Sequence, residues 1–95
     1  MNQVVITGNM TTDPQFIEGK DVTSRLTFTL ARNANDKAMY FDVVMFGRNA
    51  KRTAEKGFKK GDNCTVFGEL TMNEWVNKEG NRRTSINIIA DLVSF

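Results

Sequence analysis

The sequence predicts an all-β fold, a curled barrel of five strands with one short helix between strands 3 and 4. Three observations carry that prediction. Five separate runs read as strands, and the first two alternate apolar and polar residues with the period of two that a half-buried strand requires. Two of them hold an interior glycine, Gly8 and Gly68, the residue that lets a sheet bend sharply or approach another backbone. Only the stretch after Gly47 shows helical spacing.

The first run, Asn2 to Met10, sets Val4, Ile6 and Met10 against Gln3, Val5, Thr7 and Asn9. Thr11 to Pro14 ends it, because Pro14 has no amide to donate and Asp13 before it favours a turn. Glu18 to Asp21 reads as the next turn, and Val22 to Ala31 as the second strand, with Leu26, Phe28 and Leu30 on its apolar face. Arg32 to Lys37 reads as a polar loop short enough for an antiparallel hairpin.

The third strand, Tyr40 to Gly47, is apolar on both faces. Alternation places Phe41, Val43 and Met45 on one side and Tyr40, Asp42, Val44 and Phe46 on the other. The first set suits a core. The second suits a partly open platform for planar rings, nucleic-acid bases among them. Alternatively, Tyr40 and Phe46 pack under a loop or against a second subunit.

Past Gly47, Asn49 reads as a helix cap. Ala50, Thr53, Ala54 and Phe58 recur at helical spacing, and Gly61 reads as the closing residue, giving a helix of about three turns. Gly57 weakens its last turn by about 1 kcal/mol. Cys64 to Trp75 follows as a long fourth strand, Val76 to Arg83 as a hairpin loop and Thr84 to Phe95 as the last strand. Strands in this order, with a helix between the third and fourth, describe the OB-fold, a partly open barrel that binds oligonucleotides or oligosaccharides.

The chain of 95 residues makes a single domain, 1–95, with a thin core that oligomerisation would help. The single Cys64 forms no intrachain disulfide, and neither a leader nor a long apolar run is evident near Met1. A reducing cytoplasm is the expected location, with no membrane association. Net charge is only +2, but its distribution is uneven. Arg48, Lys51, Arg52, Lys56, Lys59 and Lys60 face Glu55 alone, which presents a one-sided surface to a polyanion or a solvated helix face.

Catalysis is poorly supplied. There is no histidine, the cysteine sits in an apolar strand, and neither a glycine-rich phosphate loop nor clustered metal ligands occur, so no enzyme activity, cofactor or metal is expected. Binding is better supplied. Trp75 shares its strand face with Asn73 and Thr71, beside a hairpin carrying Lys78, Arg82 and Arg83. A ring to stack on a base, with cations to follow the backbone, is what single-stranded nucleic acid needs. The other reading of Trp75 is a hydrophobic plug at the barrel mouth.

Five stretches in order resemble the DNA-binding domain of bacterial single-stranded DNA-binding proteins. They are Asn2 to Met10 with Asp13-Pro14, Leu26 to Ala31, Tyr40 to Gly47, Phe58 to Asp62, and Val66 to Leu70 with Trp75. The resemblance implies sequence-independent binding and protection of single-stranded DNA in replication, recombination or repair, in a bacterial nucleoid or from a phage or plasmid in a bacterial host. It implies base stacking on Tyr40, Phe46 and Trp75. Backbone contacts are expected from Arg32, Arg48, Lys78, Arg82 and Arg83, with Thr71 and Asn73 on the same surface. It also implies a homotetramer or dimer paired through the first strand.

The departures from that family are specific. Thr71 and Asn73 are neutral where arginines often stand, Asp42 stands where a basic residue can occur, and Arg32 to Lys37 lacks an aromatic. Each lost phosphate contact removes a counterion-release term, so weaker and less salt-sensitive binding is expected. The sequence reaches Phe95 without the family's disordered linker and acidic tip, and recruitment through such a tail is not assigned. Two other readings of the fold are a primosomal replication protein, a dimer that contacts a helicase, and a protein- or sugar-binding module with its aromatics buried.

Overall fold

The computed structural model describes residues 1–20 and 24–95. The elements run β1 (Val4–Met10), β2 (Gln15–Ile17), β3 (Arg25–Ala34), β4 (Lys37–Phe46), α1 (Gly47–Ala54), β5 (Asn63–Val76) and β6 (Arg82–Ser94). Hydrogen bonding orders the sheet β1-β5-β6-β4-β3-β2, and a β1–β3 pairing closes the ring. All pairings are antiparallel except β4 with β6. This is the OB-fold barrel expected, with a short extra strand. β2 has only three residues, too few for a period to show, and it exists through its pairing with Arg25, Leu26 and Thr27.

The alternation read from the sequence is the alternation of burial. Leu26, Leu30, Met45, Val66, Ile88 and Val93 are sealed inside, and Phe28, Phe41 and Val43 join them. Phe58 caps this core edge-on to Phe28, with ring centroids 5.5 Å apart. Cys64 lies in the same interior, where burial, followed by the charge of Asp62, pushes its thiol up to about 11.

Gly8 and Gly68 are the two places where backbone meets backbone. A Cβ at Gly8 would press on the Ala31 carbonyl oxygen, with the Ala31 carbonyl carbon at 3.0 Å. This is where β1 leaves β5 and reaches β3, at Asn9 and Met10. At Gly68 the β5–β6 register shifts, and a Cβ would collide with the Ile89 carbonyl. Both glycines sit at bends of the curled sheet, as their position inside strand patterns suggests.

Several boundaries differ from the sequence reading. The hairpin expected over Arg32 to Lys37 closes on Asn35 and Asp36 alone, at φ 52° and 63°. Both residues take the left-handed conformation of a two-residue turn that matches strand twist. Strand pairing therefore continues through Arg32↔Met39, Asn33↔Ala38 and Ala34↔Lys37. The second hairpin turns within Asn77 to Asn81, because the Asn77 side chain accepts from the amides of Glu79 (3.0 Å) and Asn81 (2.9 Å). Val76, Arg82 and Arg83 thus belong to strands. The expected start of strand 2 at Val22, and the end of the preceding turn at Asp21, lie outside the described residues.

The helix is shorter than predicted and begins earlier. β4 runs straight into α1, with Phe46 in the cap position and no side-chain cap bond, so Asn49 lies inside the helix. The Gly47 amide donates instead to the Ser24 carbonyl at 2.9 Å. The end falls at Glu55, well before Gly61. Phe58 reaches the core from the segment that follows, while Ala50 and Thr53 are the buried residues of α1.

Candidate nucleic-acid interface

Residues paired across strands project from the same sheet face, so the pairing registers define which side chains share a surface. One row runs Thr29, Asp42, Asn87, Thr71 across β3, β4, β6 and β5. Stepping by two along each strand adds Tyr40, Val44 and Phe46 on β4, and Asn73 and Trp75 on β5. These residues all lie on the outer face of the barrel.

The three aromatics are exposed on that face: Tyr40 at 62%, Phe46 at 49% and Trp75 at 49%. Phe28 and Leu30 face the other way, into the core. Tyr40 and Phe46 are exposed because β4 carries outer-face apolar residues and, among the described residues, no element covers them. Trp75 is exposed because β5 and β6 run on past the barrel as a two-stranded arm, in which Met72 to Val76 are exposed on both sides.

Because β4 and β6 are parallel and β5 opposes β6, Phe46 and Trp75 lie on opposite sides of the central row, each four residues away. At a rise of ~3.4 Å per residue the track between them is about 27 Å along the strand direction. That length is comparable to the molecule's own dimensions, 39 × 33 × 29 Å. Phe46 and Trp75 are therefore well separated on that face.

Each end of the track pairs an aromatic with an arginine. Trp75 is the cross-strand partner of Arg83, and Phe46 of Arg25. Arg25 was not among the residues expected from sequence, since its pairing with Phe46 depends on hairpin register. Arg48, at the start of α1, follows Phe46 closely, and Lys78 sits in the exposed turn at the tip of the β5–β6 arm. The other two expected cations fall elsewhere. Arg32 pairs with Met39 and Arg82 with Val76, a parity that turns both away from the aromatic face. The α1 cations Arg48, Lys51 and Arg52 line a pocket that Glu18 and Glu55 share, and Lys51 Nζ lies 3.9 Å from Glu18.

Between the rings the face is shallow, and both polar and apolar side chains line it. A cleft of about 430 Å³ opens beside the central row, lined by Thr12, Asp13, Gln15, Thr29, Asp42 and Asn87 among others, with no cation among its lining residues. Thr29 Oγ1 donates to Asp42 Oδ1 at 3.3 Å. Asp13 Oδ1 accepts from the Lys60 amide at 3.0 Å. Sequence reading missed most of this cleft, because it is assembled from β2, β3, β4 and β6.

Among the described residues no cluster of three or more His, Cys, Asp or Glu could hold a metal ion, and no helix is long and apolar enough to cross a membrane.

A small, curled barrel with a flat aromatic track bordered by arginines is an OB-fold of the nucleic-acid-binding kind. The model of the Single-strand binding protein family matches residues 1–95, the whole chain. The chain belongs to that family. It is 35% identical over 104 residues to the mitochondrial single-stranded DNA-binding protein of Drosophila melanogaster, covering 100% of this chain and 70% of that one. It is 33% identical to the single-stranded DNA-binding protein of Thermotoga maritima, over 99% of this chain and 72% of the relative. Among solved structures, the small single-stranded DNA-binding protein of Streptomyces coelicolor superposes with a TM-score of 0.81 at 25% identity, covering 97% of this chain and 91% of that one.

Proposed function

We propose that the protein binds single-stranded DNA, largely irrespective of sequence, and protects it during replication, recombination or repair. The observation that carries this reading is the exposure of Tyr40, Phe46 and Trp75 on one face of the family's fold, with Arg25 and Arg83 paired to two of them. Stacking tolerates any base, because every base has a π-face, and the arginines follow the backbone. Bases paired in a duplex hide those faces. Binding only the open form drives strand separation by mass action. The reading involves no catalysis and no cofactor.

The protein works as a homo-oligomer in this reading. From Val4 to Gly8, β1 pairs with β5 on one side, whereas its pairing with β3 covers only Asn9 and Met10. The open edge is a template for a second strand. Val5, Phe67 and Leu92 form an outward row beside it, with Val5 and Leu92 more than half exposed. Light scattering should give twice or four times the 10.7 kDa chain mass.

The deciding experiment for DNA binding is a titration of Trp75 emission. A mixed-sequence single-stranded oligonucleotide should quench it, and the same sequence as a duplex should not. Unchanged emission together with no binding by anisotropy would defeat the proposal.

A further inference from the structure

The two arginine–aromatic pairs at the ends of the track are not equivalent. Arg25 stands on β3, a strand with a neighbour on each side. Its cross-strand partner on one side is Phe46 of β4, and on the other Ile17 of β2. Directly paired residues share a sheet face, with Cβ atoms about 4.5–5.5 Å apart, so Ile17, Arg25 and Phe46 form one row across the outer face. All three are exposed, Ile17 at 51%. Arg83 has Trp75 of β5 on one side only. On its other side β6 pairs with β4 from Asn87 to Ile89 and no further, so among the described residues no strand flanks Arg83 there.

The difference matters for a long, flexible cation. An arginine gives up rotamer freedom when its guanidinium is fixed on a phosphate, and that loss weakens binding unless the side chain is already confined. Arginine lays its methylene stem along apolar neighbours and keeps its charged head in water. The stem of Arg25 has an apolar neighbour on each flank, whereas that of Arg83 has one. Ile17 serves no core in return, since Phe16, of opposite parity, is the β2 residue that packs against the interior. Its β-branched side chain is itself stiff at χ1, which suits a fixed wall.

We propose that Ile17 is a positioning residue for DNA binding. It packs the stem of Arg25 from the β2 side as Phe46 does from the β4 side, and the guanidinium held between them meets a phosphate while a base stacks on Phe46. Arg25 is then the stronger of the two phosphate contacts. This rests on the single-stranded DNA reading and adds to it a residue that acts through Arg25.

The test is a double-mutant cycle, read by the anisotropy of a labelled mixed-sequence strand with the full chain at fixed salt. Ile17→Ala should weaken binding about two- to tenfold, the effect of leaving one long side chain for the ligand to immobilise. Ile17→Val should recover most of it. Ile17→Thr, which keeps the β-branching that suits a strand, should show the alanine loss and serves if alanine disturbs β2. In an Arg25→Gln background Ile17→Ala should have no further effect, because no guanidinium is left to place. Val76→Ala removes an exposed apolar partner of Arg82 from the opposite face and should leave the affinity unchanged. Arg25→Gln should cost more than Arg83→Gln. Wild-type affinity in Ile17→Ala and Ile17→Thr, or a loss that persists in full without Arg25, overturns the positioning role alone. Failure of the wild-type protein to bind the strand overturns the DNA reading and this inference with it.

Discussion

Raising the salt concentration should weaken DNA binding by an amount the structure sets. Of the cations near the aromatic track, Arg25 and Arg83 share its face as cross-strand partners of Phe46 and Trp75, and Arg48 and Lys78 stand close to its two ends. Arg32 and Arg82 have the opposite parity. Four phosphate contacts at roughly 0.7 released counterions each give a slope of about −3 for log affinity against log salt. A fourfold rise in salt, from 50 to 200 mM, should therefore cut the affinity by about fiftyfold per binding site. Anisotropy titrations of a labelled strand across that range measure the slope directly. Arg83→Gln should make it shallower by roughly one contact, and Arg82→Gln should leave it nearly unchanged. A slope steeper than about −5 would refute this accounting, because the DNA would then have to run over Lys51, Arg52 and Lys56 as well. An equal effect of the two arginine substitutions would refute the assignment of faces from strand register.

Trp75→Ala should lower affinity by about 1–3 kcal/mol, the value of one stacked base, while Trp75→Phe keeps most of it; labelled-strand anisotropy measures both. Gly8→Ala drives a methyl group into the Ala31 carbonyl and should destabilise the fold by about 1–3 kcal/mol in urea melts. The Cys64 thiol has its folded-state pKa raised from 9.0 to about 11. It is protonated in both states below pH 9.0, and above that the unfolded chain ionises first. Its contribution is therefore fully present below pH 9.0 and is lost as pH rises toward about 11, so the stability gap between wild type and Cys64→Ala should narrow over that window. Native Cys64 should also react with a thiol reagent at pH 8 only as fast as the protein unfolds, since the buried neutral thiol is a poor nucleophile.

Much of the architecture was legible because burial in a curled sheet follows a period of two. Phe41, Val43 and Met45 could be assigned to the core by counting parity along a single strand, which set Tyr40 and Phe46 on the opposite face and left open whether anything covers them or Trp75. The interior positions of Gly8 and Gly68 signalled bends without any knowledge of what they meet. Errors clustered where local signals compete. Asn49 has the chemistry of a helix cap, yet strand pairing carries β4 to Phe46 and starts α1 directly behind it. Arg32 and Arg82 read as loop cations, yet Asn35-Asp36 and the Asn77 side chain tighten the turns and draw both arginines into strands. Parity then turns them to the far side.

The amino-acid sequence alone was enough to determine the fold class and which residues of each strand share a face, and it offered flat rings and cations as the candidate chemistry. Pairing decided the rest. Which arginine stands beside which ring, and that Thr29, Asp42 and Asn87 line one cleft, depend on the registers between β3, β4 and β6. A register joins residues tens of positions apart, and a slip of one would turn an entire strand over. Local pattern says which way a side chain points; only closure of the barrel says what it points beside.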